Sequence, residues 1–181
     1  NEAAVLMNAR IEELRAAGDS AGGIIECLVS GCPVGLGEPA FEKLDAQLAG
    51  AMLSIGAVKG FEIGDGFAAA DSFGSTNNDF MHVEDGKPVF DSNHAGGTLG
   101  GLSSGNDIVF RLAVKPVPSI FKPQQTVKRT SDFDKEGNAS YESTELQIKG
   151  RHDVCLCPRI VPVVEAMTAL VLVDSLLRDL R

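Results

Sequence analysis

Three segments of the chain concentrate residues able to do chemistry. The first is Asp91 to Gly105, DSNHAGGTLGGLSSG, which holds five glycines, three serines, one Asn and one His in fifteen residues. Glycine permits positive φ and lets backbone N–H groups approach a ligand closely. Successive N–H groups make an anion-binding nest, and Asn93, His94 and Ser103 add side-chain donors. The segment is no Walker loop, since G-K-S and G-K-T are absent, and it lacks the order of a Rossmann fingerprint. Its composition suits a ligand loop and an irregular surface loop equally. The second segment is Lys115 to Ser119, KPVPS. Two prolines hold the chain extended and would present Lys115 and Ser119 at fixed positions. A plain strand exit with a solvated lysine accounts for the same residues. The third is Gly150 to Pro158, GRHDVCLCP. Arg151 offers planar, bidentate recognition of phosphate or carboxylate. His152 brings an imidazole able to donate or accept a proton, and Asp153 can accept a proton or orient a donor. A helix-entry loop with a capping Asp is the competing explanation.

Elements that would position these segments can be read from periodicity. Ala3, Met7, Ile11 and Leu14 have helical spacing over 3–17, with Gly18 as the stop signal. Gly22 to Val29 and Val58 to Ile63 suit strands. Between them Pro39 suits a first helical turn, and Phe41, Leu44, Leu48, Met52 and Ile55 would line one helix face. Residues 64–86 have few large apolar side chains and suggest a flexible excursion, with a short strand over Lys87 to Phe90. Asp107 to Val114 alternates strictly and is the clearest strand. Thr126 to Arg129 and Thr144 to Ile148 would pair around a polar hairpin, 131–143. Val161 to Leu180 suggests a long core helix opened by Pro162, with Val163, Met167, Leu170, Val173, Leu177 and Leu180 inward. The order helix, strand, helix, strand suggests layered packing of helices on sheet.

Composition limits the classes of function. Of 181 residues, 44% are hydrophobic and 23% charged, a globular balance that argues against disorder of the whole. The formal net charge is -9, which argues against a general nucleic-acid binder or an anionic membrane surface. A local Arg and Lys cluster would still hold one phosphorylated small molecule. No apolar run approaches the roughly 20 residues of a membrane span, and no signal peptide is expected. The four cysteines, Cys27, Cys32, Cys155 and Cys157, form no C-x-x-C pair and fit reduced, buried cytosolic thiols rather than a metal site. The chain starts at Asn1, without Met and inside a helical pattern, so it is expected to be a fragment.

The motifs occur in a telling order. V-x-G-x-P-x-G-L-G-E-P-x-F-x-K-L-D (29–45) and A-V-K-G-F-E-I-G-D-G-F (57–67) come first. S-N-H-A-G-G-x-L-G-G-x-S-x-G, K-P-x-P-S and G-R-H-D follow. R-x-V-P-V-x-E-A-M-x-A-L-V-L-x-D-x-L-L-R (159–178) closes the series. From about Gly22 to Arg178 the chain closely resembles the carboxy-terminal portion of the chorismate synthase family.

That resemblance implies an α+β fold, a layered β-α-β sandwich with helices packed between or against mixed and antiparallel sheets. Residues 1–181 would form the carboxy-terminal part, with the amino-terminal part absent. The implied activity is a lyase reaction, 1,4-anti elimination of phosphate from 5-enolpyruvylshikimate 3-phosphate to give chorismate. It requires reduced FMN, with NADPH as a possible reductant. The intact enzyme would be a cytoplasmic homotetramer, with no nucleic acid, membrane or metal involved. By matched motif, Gly56, Ala57, Gly100, Lys115, Pro116, Val117, Pro118, Ser119 and Arg151 would contact the flavin. Asp153 and His152 would be catalytic, and Arg151, Asn93 and His94 would face substrate. Gly56 stands where the family often has Asn, which removes one flavin hydrogen bond, and Val154 stands where Pro is common. The family's amino-terminal catalytic histidines have no counterpart, because His82, His94 and His152 are the only three. The chain alone is therefore expected not to turn over. The other readings are a non-catalytic flavin- or phosphate-binding module and an oligomerisation module.

Overall fold

The computed structural model describes residues 2–133 and 135–180. Helices and antiparallel sheets mix in the expected α+β manner. The chain divides into two compact units, one of Asn1–Gly22 with Pro116–Leu156 and one of Gly23–Lys115 with Cys157–Arg181. The polar hairpin expected over 131–143 is described except for Asp134, and the expected helical start at Asn1 also lies outside the described residues.

The larger unit is built on strands β1 (Gly23–Val29), β2 (Val58–Ile63) and β7 (Ile108–Val114) in the order β1-β7-β2, all antiparallel. The alternation in β7 puts Ile108, Phe110, Leu112 and Val114 on one buried face. Register brings Ile25 and Phe61 opposite Leu112, and Cys27 and Ile63 opposite Phe110. Phe61 stacks on Phe110 with ring centroids 5.3 Å apart. A helical layer covers this face. Helix α2 (Leu44–Leu53) buries Leu44, Leu48 and Met52, four residues apart and therefore on one side. Helix α4 (Cys157–Asp179) packs against α2 and β1. Burial of the Cys27 thiol between sheet and helix pushes its pKa up, and no disulfide forms among the described residues.

The structure shifts several boundaries. Pro39 and Phe41 lie outside α2: Phe41 is fully exposed with φ 63°, a conformation no right-handed helix accepts. Ile55 lies beyond the helix end. Helix α4 starts at Cys157, so Pro158 rather than Pro162 stands in its first turn. Its inward face carries Ile160, Val164, Thr168 and Ser175, whereas Leu170, Val173, Leu177 and Leu180 are exposed. The helix is apolar on most sides, so periodicity alone could not choose its face. Small hydroxyl side chains turn inward because they permit close approach: Thr168 Oγ1 lies 3.8 Å from Cys27 Sγ on β1. By length and composition alone, α4 is also apolar enough to cross a membrane, contrary to the expectation that no run approaches that length.

Residues 64–86 are more structured than their composition suggests. They contain a 3-10 turn (Gly66–Asp71), a short helix α3 (Gly74–Asn77) and strand β3 (Met81–Glu84). Strand β3 pairs with β4 (Lys87–Phe90) across Asp85-Gly86, the short hairpin signal that composition obscured.

In the smaller unit, α1 (Glu2–Ala16) buries no residue completely, and only Ile11 and Leu14 of its expected face are half-buried. Strands β8 (Gln124–Phe133) and β9 (Ala139–Leu146) form the expected hairpin with Thr126 opposite Thr144. Both strands run further toward the turn than alternation alone indicated.

The assignment of faces is testable by urea denaturation. Leu48→Ala should cost about 2–5 kcal/mol, the range for a large-to-small change in a packed core. Leu170→Ala should stay within about 0.5 kcal/mol. A larger loss at Leu170 than at Leu48 would show that α4 faces the other way.

Candidate functional site

A cleft of about 400 Å³ opens within the smaller unit, inside the range of about 300–1,000 Å³ typical of small-molecule sites. Helix α1 and its exit supply Arg15, Gly18 and Asp19, one connecting segment supplies Ser119 to Phe121, and the approach to α4 supplies Arg151 to Val154. Four residues singled out in the sequence, Ser119, Arg151, His152 and Asp153, therefore line one cavity. The His152 ring tilts against Phe121 with centroids 5.7 Å apart. Its Nε2 atom is buried and makes no hydrogen bond. A buried polar atom normally has a partner, so this orphan fits a site completed by a ligand or water.

The charge of the cleft is set by which groups are already paired. Asp19 Oδ2 accepts a hydrogen bond from Lys122 Nζ at 2.6 Å. That bond, then the Ser20 N–H, holds the Asp19 carboxyl below the usual range. Arg15 pairs with Glu12 on its own helix. Arg151 brings a second guanidinium to the same cavity and is exposed.

In the larger unit, the glycine segment folds into a minute hairpin of β5 (Thr98–Leu99) and β6 (Leu102–Ser103). Gly100 and Gly101 form its two-residue turn with φ 63° and 91°. Positive φ at both central positions is what a type I′ turn requires. Gly101 C=O accepts the Leu44 N–H at 2.8 Å, tying the hairpin to the start of α2. Ser103 Oγ accepts the Leu36 N–H at 2.9 Å and donates to Pro33 C=O. Both ends of the Asn93 carboxamide are used: Nδ2 donates to Asp107 C=O and Oδ1 accepts the Gly97 N–H, each at 2.8 Å. The Gly96 N–H donates to Asn93 C=O at 3.1 Å. Much of what composition suggested as an anion nest is thus occupied in holding the loop itself.

Asp79 anchors the start of that loop, and sequence reading passed over it. Its Oδ1 accepts the Ser92 hydroxyl and the His94 N–H, both at 2.7 Å, and its Oδ2 accepts the Ala95 N–H at 2.9 Å. Burial works to raise its pKa, but the bonds from Ala95, Ser92 and His94, with the nearby His94 ring, lower it overall. His94 Nδ1 lies 2.7 Å from Asp65 Oδ2, so Asp65 orients that ring. Both aspartates come from the segment expected to be flexible, and isolated acidic residues beside Gly and Asn carry no periodic signal.

Gly56, Ala57 and Lys115 meet at one end of the three-stranded sheet. The Lys115 N–H donates to Ala57 C=O at 2.9 Å, and Ala57 holds φ 73°. A non-glycine residue in this region costs roughly 1–2 kcal/mol, and such strain gathers at functional positions. Lys115 itself is exposed.

The Asp79 anchor makes a pH-dependent prediction. A depressed carboxyl pKa stabilises the fold fully above the unfolded value of about 3.9. That contribution disappears as pH falls through the lower folded value. Asp79→Asn keeps one acceptor oxygen for three donors and should lower stability by about 1–3 kcal/mol at neutral pH. The difference from the native chain should shrink at pH 3. Urea midpoints at the two pH values check this, and a constant difference would exclude a role for the charge.

Comparison with known proteins shows the family and the fold. A family model described as chorismate synthase matches residues 1–177. The chain is 59% identical over 175 residues to a chorismate synthase of Syntrophobacter fumaroxidans, covering 97% of this chain and 46% of the relative. It is 57% identical over 178 residues to a chorismate synthase of Methanosarcina mazei, covering 98% and 46%. A crystal structure of chorismate synthase superposes with a TM-score of 0.73 at 34% identity, covering 96% of this chain and 42% of the other. The chain thus spans just under half the length of these relatives. With sequence matched almost end to end and fold shared, it belongs to the chorismate synthase family.

Proposed function

We propose that this chain contributes the carboxy-terminal part of a chorismate synthase, a carbon–oxygen lyase that eliminates phosphate from 5-enolpyruvylshikimate 3-phosphate in the 1,4-anti sense to give chorismate. The observation that carries the reading is the cleft in which Ser119, Arg151, His152 and Asp153 line one cavity, with His152 Nε2 unpartnered. Reduced FMN, when bound, supplies an electron-rich ring that assists departure of the phosphate without net redox change, and NADPH is the proposed reductant. The volume of the cleft and the exposed Arg151 guanidinium fit a phosphorylated ligand.

Within that reading, the Arg151 guanidinium pairs bidentately with a phosphate oxygen pair. Ser119 adds a hydroxyl donor, and Pro116, Val117 and Pro118 keep the backbone leading to it extended. Asp153 holds or moves a proton, and the buried His152 Nε2 is placed to donate or accept one. Donors aimed at charge that develops on a departing group can account for most of a rate enhancement. In the larger unit, Gly56, Ala57, Gly100 and Lys115 keep the flavin-contact role implied by the family motifs. Lys115 supplies positive charge for a reduced ring or its phosphate. Asn93 and His94 serve substrate indirectly, since their side chains hold the glycine loop and pair with Asp65. The remaining length of the relatives would supply further histidines and arginines, and the intact enzyme would be a cytoplasmic homotetramer.

A second reading, an oligomerisation module, draws on the exposed apolar side of α4 with Leu170, Val173, Leu177 and Leu180.

Titration of the purified chain with oxidised FMN and with inorganic phosphate separates the two. Arg151→Ala should weaken binding at least about tenfold, as expected for a charge-assisted bond worth about 1.5–3 kcal/mol. If neither ligand binds and the chain sediments as a stable oligomer, the module reading replaces the enzymatic one. With reduced FMN and substrate, the chain alone should show no turnover. Activity within about tenfold of an intact relative, a barrier difference of only about 1.4 kcal/mol, would refute the dependence on missing residues.

A further inference from the structure

The cleft is made from stretches of chain far apart in sequence, and one short turn touches each of them. Helix α1 leaves through a Schellman arrangement: the Gly18 N–H donates to Arg15 C=O at 3.2 Å and the Asp19 N–H to Leu14 C=O at 2.9 Å. Gly18 holds φ 66°, and a Cβ there would sit 3.1 Å from Phe121 Cβ. The turn then makes four bonds outward. Gly18 C=O accepts the Phe121 N–H at 3.0 Å, and the Ala21 N–H donates to Val154 C=O at 2.8 Å. The Ser20 hydroxyl donates to Val117 C=O at 2.7 Å. Asp19 binds the Ser20 N–H through Oδ1 at 2.9 Å and Lys122 Nζ through Oδ2 at 2.6 Å.

We infer that Asp19 and Ser20 are positioning residues of this cleft, holding the 117–122 segment and the Arg151–Val154 turn in the mutual placement that presents Arg151 and His152 to an anionic ligand. Neither residue need touch the ligand through its own chemistry. The Asp19 carboxylate is consumed by Lys122 and the Ser20 N–H, and the Ser20 hydroxyl by a backbone carbonyl. Without the turn, the Phe121 ring that supports His152 loses the 3.0 Å bond that fixes its backbone, and Val117 loses the bond that orients the proline segment. The inference deepens the reading of the cleft given above and depends on it for the nature of the ligand, but the geometric part can be tested with no ligand at all.

The experiment is proton and carbon NMR of the full chain labelled at histidine, which gives three ring systems assigned by single His→Gln variants. In the native chain the His152 signals should be displaced by the Phe121 ring current. In Ser20→Ala that displacement should be lost, while the His94 signals, set by Asp65 in the other unit, stay in place. Ser20→Thr keeps the hydroxyl and should restore the His152 position. Unchanged His152 signals in Ser20→Ala, or failure of the Thr variant to restore them, would overturn the inference. If Ser20→Ala also moves His94, then Lys122→Gln, which removes only the ion pair, must move His152 alone for the inference to stand. Inorganic phosphate titrated into the same samples should bind Ser20→Ala about threefold to tenfold more weakly than the native chain, the equivalent of one hydrogen bond. A native chain that ignores phosphate yet shows the His152 response rejects the ligand reading while keeping the positioning role.

Discussion

Strand β7 is hydrogen-bonded along both edges and buries Ile108, Phe110, Leu112 and Val114 against the helical layer. Side chains of this size contribute roughly 1.5–3 kcal/mol each when taken out of water. The consequence is positional as well as energetic. A slip of one residue in β7 would turn the buried row to the open face, so its register is strongly constrained. At its start, the carbonyl of Asp107 receives the Asn93 amide and fixes the glycine hairpin. At its end, Lys115 emerges bonded to the strained Ala57. The two candidate segments of the larger unit therefore lie at opposite ends of one rigid strand, and their placement follows from its packing.

The smaller unit solves the same problem by different means. Among the described residues, α1 has no completely buried residue, and β8 and β9 form a sheet of two strands. Order at its cleft comes from backbone and side-chain hydrogen bonds around residues 18–21, 117–122 and 154. Each such bond is worth only about 0.5–1.5 kcal/mol net, but together they are directional. Directionality is what a binding site needs, because a guanidinium recognises phosphate only from a defined angle. A hydrophobic core alone could not supply it.

The glycine-rich loop shows how composition can mislead about role. Glycine, Asn and Ser are the right residues for cradling an anion, and they are equally the right residues for a tight hairpin held by its own polar groups. Here Asn93, Gly96, Gly97 and Ser103 are largely spent on internal bonds. Asp79 and Asp65, which carry the polar cost of ordering the loop, come from the stretch that looked least structured. A half-buried network of this kind holds the loop only while its members are paired.

Local order in the chain was enough to determine the family, the α+β class, the alternating strand β7, the hairpin that joins β8 to β9 and the three segments carrying Arg, Lys, His and Asp. These are legible because they depend on local order: motif spacing, a period of two, turn residues. The start of α2 and the inward face of α4 were settled by tertiary structure. So were the clamps at Asp79 and at Asp19 and Ser20. Phe41 was drawn out of its helix by a left-handed backbone, and α4, apolar on most sides, took its orientation from the close approach of Thr168 to β1. The clamps join residues 13 to 103 positions apart, and no local pattern can announce a bond whose partner is chosen only when the chain has folded.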